Sequence, residues 1–99
     1  MIDFNDKERT KKILAEKADL LKTVAHPVRL CILAMLIKED KSNVTDMQCC
    51  LDVPQPTVSQ HLAKLKSAGI LVSERNGTEI IYKIKNEEVK KLIIYILES

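Results

Sequence analysis

Aromatic side chains are scarce in this sequence, with one Phe, two Tyr and no Trp. Proteins that bind single-stranded nucleic acid stack bases on aromatic platforms, so the scarcity argues against that class and leaves an aliphatic core. Glycine is rarer still, at two residues, and no glycine-rich phosphate loop, paired-carboxylate motif or Ser-His-Asp set is present. With no histidine placed as a base for the thiols either, the chain is not read as an enzyme. No apolar run approaches the length of a membrane span, and the start of the chain lacks the apolar stretch of a signal peptide. The expectation is a cytoplasmic protein with no membrane partner. The cysteines, Cys31, Cys49 and Cys50, are odd in number with two adjacent, unlike a secreted disulfide framework. A dominant charge sign is missing too: the net charge is +2, so any contact with a polyanion must come from a local basic patch. The 99 residues suffice for one compact domain, 1-99, yet sit near the size at which a lone core becomes marginal. A dimer would relieve that shortage.

What is present is a sequence of amphipathic segments. From Lys7 to Ala25, the residues Ile13, Leu14, Ala18, Leu21 and Val24 recur at helical spacing and predict a helix that ends before His26-Pro27. Pro27 suits the first turn of a second helix. That helix, Val28 to about Lys38, is apolar almost throughout, Arg29 apart. Such a helix belongs at the centre of a domain. Ser42 or Asn43 can cap a short third helix carrying Val44, Met47 and Leu51 on one face. The pair Pro54 and Pro56 breaks the pattern, and Pro56 fits the start of a fourth helix running to about Ser67. Gly69 is its stop. Asn76-Gly77 lies between two runs of β-favouring residues, 70–75 and 78–84, and predicts a hairpin turn. Asn86 then caps a last helix, 87-98, with Val89, Leu92, Ile93, Ile96 and Leu97 on a broad apolar face.

This order, three helices, a break, a helix, a hairpin and a final helix, is that of a winged helix-turn-helix domain, an α+β, mainly helical fold in which the fourth helix enters the major groove. The polar face of that helix supplies Gln55, Thr57, Ser59, Gln60, His61 and Lys64. Gln can pair bidentately with adenine, Ser and Thr serve several base edges, and Lys holds phosphate. His61 has only His26 as a fellow histidine, which argues for a hydrogen-bonding surface residue over a metal ligand. A winged helix reused for protein interaction is the alternative, separable by salt-dependent binding to duplex DNA.

Three runs, His26-Pro27-Val28-Arg29-Leu30-Cys31-Ile32-Leu33, Gln55 through Leu65, and Ala68-Gly69-Ile70-Leu71-Val72, resemble the ArsR/SmtB family of small dimeric repressors over nearly the whole chain. The resemblance implies a dimer built by the terminal helices, 7-25 and 87-98, binding to double-stranded operator DNA, and release by a metal ion or a thiol-reactive signal. It also implies base or backbone contacts for Gln55, Thr57, Ser59 and Gln60, with Arg75, Asn76 and Gly77 at the wing tip. Where the family commonly has Ser before the matching Gln, this chain has Pro54, so the usual hydroxyl cap of the recognition helix is missing.

The resemblance places family metal sites at a Cys-x-Cys pair, matched here by Asn43 and Thr45, and on a last helix that contains no His in this chain. No metal or other cofactor is expected. The thiols remain as candidate sensors, with a purely structural role as the open alternative. Cys31, in the apolar second helix, reads as a small buried hydrophobe. At roughly 100° per residue, Cys49 points away from the Val44, Met47, Leu51 face and Cys50 falls at its edge. Cys49 is thus the expected exposed thiol. Adjacent positions diverge, which argues against a Cys49–Cys50 bridge.

Overall fold

The computed structural model describes residues 2–98, the side chains of Cys49, Cys50 and Leu51 excepted. The first helix, α1 (Lys7–Val24), starts where the Asp6 carboxylate accepts the Arg9 N–H. Such a side-chain acceptor satisfies one of the free donors of a first turn. Pro27 ends this run and opens α2 (Pro27–Glu39), bent 88° from α1. His26 is extended, as a residue before proline must be, and its Nδ1 accepts the Val28 N–H at 3.1 Å. No single helix among the described residues is long and apolar enough to cross a membrane.

Next come β1 (Ser42–Asn43) and α3 (Val44–Leu51). Asn43 caps α3 by accepting the Asp46 N–H at 2.8 Å. It also does something its sequence did not announce: with Ser42 it pairs antiparallel to a later strand. Two residues are too few to carry a period, so only the pairing reveals this strand. The turn from α3 runs through Asp52, in the left-handed region, to α4 (Gln55–Ser67).

The prolines fit because neither removes a needed donor. Pro54 sits at the N-cap and Pro56 one place into the helix, among donors that have no helical acceptor anyway. The N-cap has no side-chain hydrogen bond, as the absent hydroxyl implied. Its carbonyl instead accepts from Thr57 and Val58 N–H. At the other end, Gly69 adopts φ +76, its N–H donates to the Lys66 carbonyl, and the Ile70 N–H donates to the Leu65 carbonyl. This Schellman closure brings the buried Ile70 and Leu65 together,, and turns the chain directly into the sheet.

The sheet order is β1-β3-β2, with β2 (Leu71–Asn76) antiparallel to β3 (Glu79–Ile84). Asn76 pairs with Glu79, so the two-residue loop is Gly77-Thr78 rather than the expected Asn76-Gly77. Gly77 alone takes positive φ, at +67. A turn with glycine first needs only that one left-handed residue, whereas a loop with two would put one into the β-branched Thr78. Asn86 caps the last helix, α5 (Glu87–Glu98), by accepting the Val89 N–H.

The core joins Ile32, Leu33 and Leu36 of α2 to Met47, Val58, Leu62, Leu65, Ile70, Val89 and Ile93. The expected central helix is therefore α2, although only one side of it is sealed. Replacing Leu62 by Ala should cost about 2–5 kcal/mol by leaving a cavity. Gly69→Ala, whose Cβ meets nothing within 4 Å, should cost only the left-handed strain of about 1–2 kcal/mol. Urea unfolding of both variants should rank them in that order.

Candidate nucleic-acid interface

The helix-turn-helix is α3 and α4, packed on one another, with β2 packed on α4. Val58, Leu62 and Leu65 of α4 are fully buried, which fixes how the helix is rotated. The opposite side, Gln55, Pro56, Ser59, Gln60, Ala63 and Lys64, is exposed, while Thr57 and His61 at the boundary are half-buried. The expected polar residues therefore do share one face. Pro56 and Ala63 complete it, and their lack of bulk leaves the neighbouring polar groups accessible to a groove. Lys64 and Lys66 lie in the last turn of α4. Arg75, Asn76 and Gly77 are exposed at the end of the hairpin.

His61 differs from its neighbours because its Nδ1 is occupied. Arg29 Nε donates to it at 3.1 Å, and Arg29 Nη1 donates to the Thr23 carbonyl at 2.8 Å. A guanidinium can only donate, so the imidazole is neutral here and carries its proton on Nε2. The His26 ring lies 4.4 Å away, centroid to centroid, tilted by 42°. Partial burial lowers the His61 pKa below the usual 6.5, helped by the nearby charges of His26, Arg29 and Lys64. Sequence reasoning passed over Arg29; the available signal was that it is the only charge between Pro27 and Ile37.

The thiols are distributed differently from expectation. Cys31 is exposed, not buried, because at roughly 100° per residue it lies nearly opposite the Ile32, Leu33, Leu36 face. An apolar helix need not be covered on every side by its own domain. The Cys49 and Cys50 side chains lie outside the described residues, so the exposed and edge positions read for them stand as expectations. Among the described residues no group of three or more His, Cys, Asp or Glu could hold a metal ion.

Comparison with known proteins agrees with this arrangement. The family model of a helix-turn-helix domain matches residues 24–74. The chain is 46% identical over 80 residues to the transcriptional repressor PagR of Bacillus anthracis, covering 81% of this chain and 80% of PagR. The PagR crystal structure superposes with a TM-score of 0.79 at 43% identity, over 87% of this chain and 98% of that one. Identity to the HTH-type transcriptional repressor SmtB of Mycobacterium tuberculosis is 37% over 84 residues, 85% of this chain and 62% of SmtB. A homodimeric winged helix-turn-helix DNA-binding domain from Mycobacterium bovis, described as a possible ArsR-family transcriptional regulator, gives a TM-score of 0.80 at 29% identity over 90% and 82% of the two chains.

Fold and exposed face together define a winged helix-turn-helix protein of the DNA-binding, transcription-regulating class. The chain belongs to the ArsR/SmtB family of transcriptional repressors. These relatives are regulators rather than enzymes.

A pH dependence follows from His61. Its pKa is lower in the folded protein than in the unfolded chain, where it is about 6.5. Its contribution to stability is therefore intact above that value and is lost as pH falls through the folded pKa. Urea midpoints measured from neutral to acid pH should decline below about 6.5 in the parent, and part of that decline should vanish in His61→Asn. An NMR titration placing the His61 midpoint above 6.5 would contradict the assignment.

Proposed function

We propose that the chain acts in the cytoplasm as a homodimeric repressor that reads duplex DNA with the outer face of α4. Gln55, Thr57, Ser59 and Gln60 face base edges or the adjoining backbone, and Lys64 holds phosphate. Arg75, Asn76 and Gly77 rest on a neighbouring groove or backbone. The observation that carries this reading is the rotation of α4: its apolar side is sealed by the core, and only the stripe of amide, hydroxyl and ammonium groups is left to meet a partner. His61, engaged by Arg29, is assigned to holding the helix rather than to reading a base.

The dimer is proposed to form through α1 and α5. Leu14 and Leu21 of α1 and Ile96 and Leu97 of α5 are each about half exposed, more aliphatic surface than these helices cover within one chain. An apolar groove of about 170 Å³ between the two helices is lined by Leu20, Leu21, Val89 and Leu92, with the ion-paired Lys17 and Glu88 beside them. The homodimeric Mycobacterium bovis domain that superposes on this chain supports a homodimer. Exposed aliphatic surface of this kind marks an interface.

Gln60→Ala should weaken binding to a selected duplex by about 1–3 kcal/mol and relax preference at one base position. Lys64→Ala should weaken all duplexes alike and reduce the salt slope by about one. Fluorescence anisotropy over a salt series measures both, and a uniform loss for Gln60→Ala would remove its reading role. For the dimer, Ile96→Glu should give folded monomers by light scattering with unchanged helical circular dichroism, since the site lies outside the core of one chain. A parent protein that is itself a folded monomer at micromolar concentration would end the dimer reading.

A further inference from the structure

One side chain spans three elements next to the reading face. Arg29 projects from the first turn of α2; its Nη1 donates to the Thr23 carbonyl in the last turn of α1, and its Nε donates to Nδ1 of His61 on α4. His26, at the bend between α1 and α2, has its own Nδ1 committed to the Val28 N–H and sets its ring against that of His61. His61 directly follows Gln60 and precedes Lys64 by three places, so it sits on the border between the buried and exposed sides of α4. Contact with base edges tolerates only about 10–20° of misorientation. The apolar side chains of α4 set its rotation coarsely, because aliphatic contacts are non-directional. The hydrogen bond to His61 is directional and sits where a small rotation would move Ser59 and Gln60 most directly.

We propose that Arg29 is a positioning residue for DNA reading: through His61 it fixes the rotation of α4 against the end of α1, and protonation of His61 releases that hold. The proposal rests on α4 being the reading helix. When Nδ1 takes a proton it can no longer accept from Arg29, and two cationic groups are left face to face. The charges bearing on His61 come from His26 at the bend, Arg29 on α2 and Lys64 on α4 itself, and each of them opposes protonation, as does partial burial. The ring is therefore held neutral, as the hydrogen bond requires, at neutral pH. The consequence has an unusual sign. An added positive charge on a DNA-binding face ordinarily strengthens binding by displacing counterions, whereas here acidification weakens selective binding.

The test uses the full chain and two labelled duplexes of equal length, one selected by the parent from a random-sequence pool and one scrambled. Affinities are measured at constant ionic strength from about pH 8 down to about pH 5.5, the span of imidazole titration. The parent should lose about tenfold in its preference for the selected duplex across this range, the loss of one charge-assisted hydrogen bond. His61→Asn places an amide oxygen where Nδ1 stood. It should keep the neutral-pH preference and abolish its pH dependence. Arg29→Lys keeps the charge without the two-pronged geometry, and His61→Leu removes the acceptor. Both should show the reduced preference at every pH, with scrambled-duplex affinity and melting temperature near the parent's. A parent preference that rises with acid, and stops rising in His61→Asn, would make His61 a direct phosphate contact and overturn the proposal. Equal losses on both duplexes for Arg29→Lys and His61→Leu would overturn it as well, as a general folding effect. Failure of the parent to bind either duplex in a salt-dependent way at neutral pH would instead overturn the DNA reading of α4, and the proposal with it.

Discussion

The burial of Ile32, Leu33 and Leu36 along the inner side of α2 is the interaction on which the other elements rest. The four remaining helices and the central strand β3 all pack against this one helix. Each of the three side chains contributes about 1.5–3 kcal/mol by leaving water, and in a chain this short no second core replaces them. The same helix carries Arg29 at its amino end, so the helix that holds the fold together also carries the polar link between α1 and α4. The residues proposed to read DNA and those proposed to meet a second subunit are thus all referred to α2.

The way α4 is delimited shows how an exposed helix can be set without the usual side-chain cap. Pro54 and Pro56 stiffen the approach, and the Pro54 carbonyl takes the first helical hydrogen bonds. With two prolines at its start and the Thr57 and Val58 N–H groups engaged, few backbone donors are left exposed at this end. At the far end, the closure at Gly69 and Ile70 turns the chain at once into β2, and the Ile70 carbonyl in turn accepts from Lys85 and Asn86 at the exit of β3. A few residues around Ile70 therefore join the end of α4, the hairpin and the start of α5.

The exposed face of α4 and the exposed aliphatic residues use different side chains. Exposed amide and hydroxyl groups line the outer side of α4, while Leu14, Leu21, Ile96 and Leu97 stand exposed on the two terminal helices, as do Val72 and Ile80 on the hairpin strands. Cys31, on the outer side of α2, belongs to neither set. The proposed dimer and the proposed DNA contact therefore draw on different residues, the first on Leu14, Leu21, Ile96 and Leu97 and the second on the polar side of α4.

Local chemistry was enough to predict the five helices, the stop at Gly69, the cap at Asn86 and the polar residues of α4. These depend on the 3.6-residue period, on proline and glycine dihedrals, and on short side-chain caps, all of which act within a few residues. The hairpin was legible for the same reason, but its turn was misplaced by one residue, because the choice between Asn76-Gly77 and Gly77-Thr78 is made by the cross-strand register of Asn76 with Glu79. Strand β1 was invisible because its two residues become a strand only through β3. Cys31 was misjudged because an apolar helix reveals its period only when one side meets a core. The hold of Arg29 on His61, between residues 32 positions apart, was beyond any local rule: it exists only because the fold brings the first turn of α2, the end of α1 and the middle of α4 within hydrogen-bond reach.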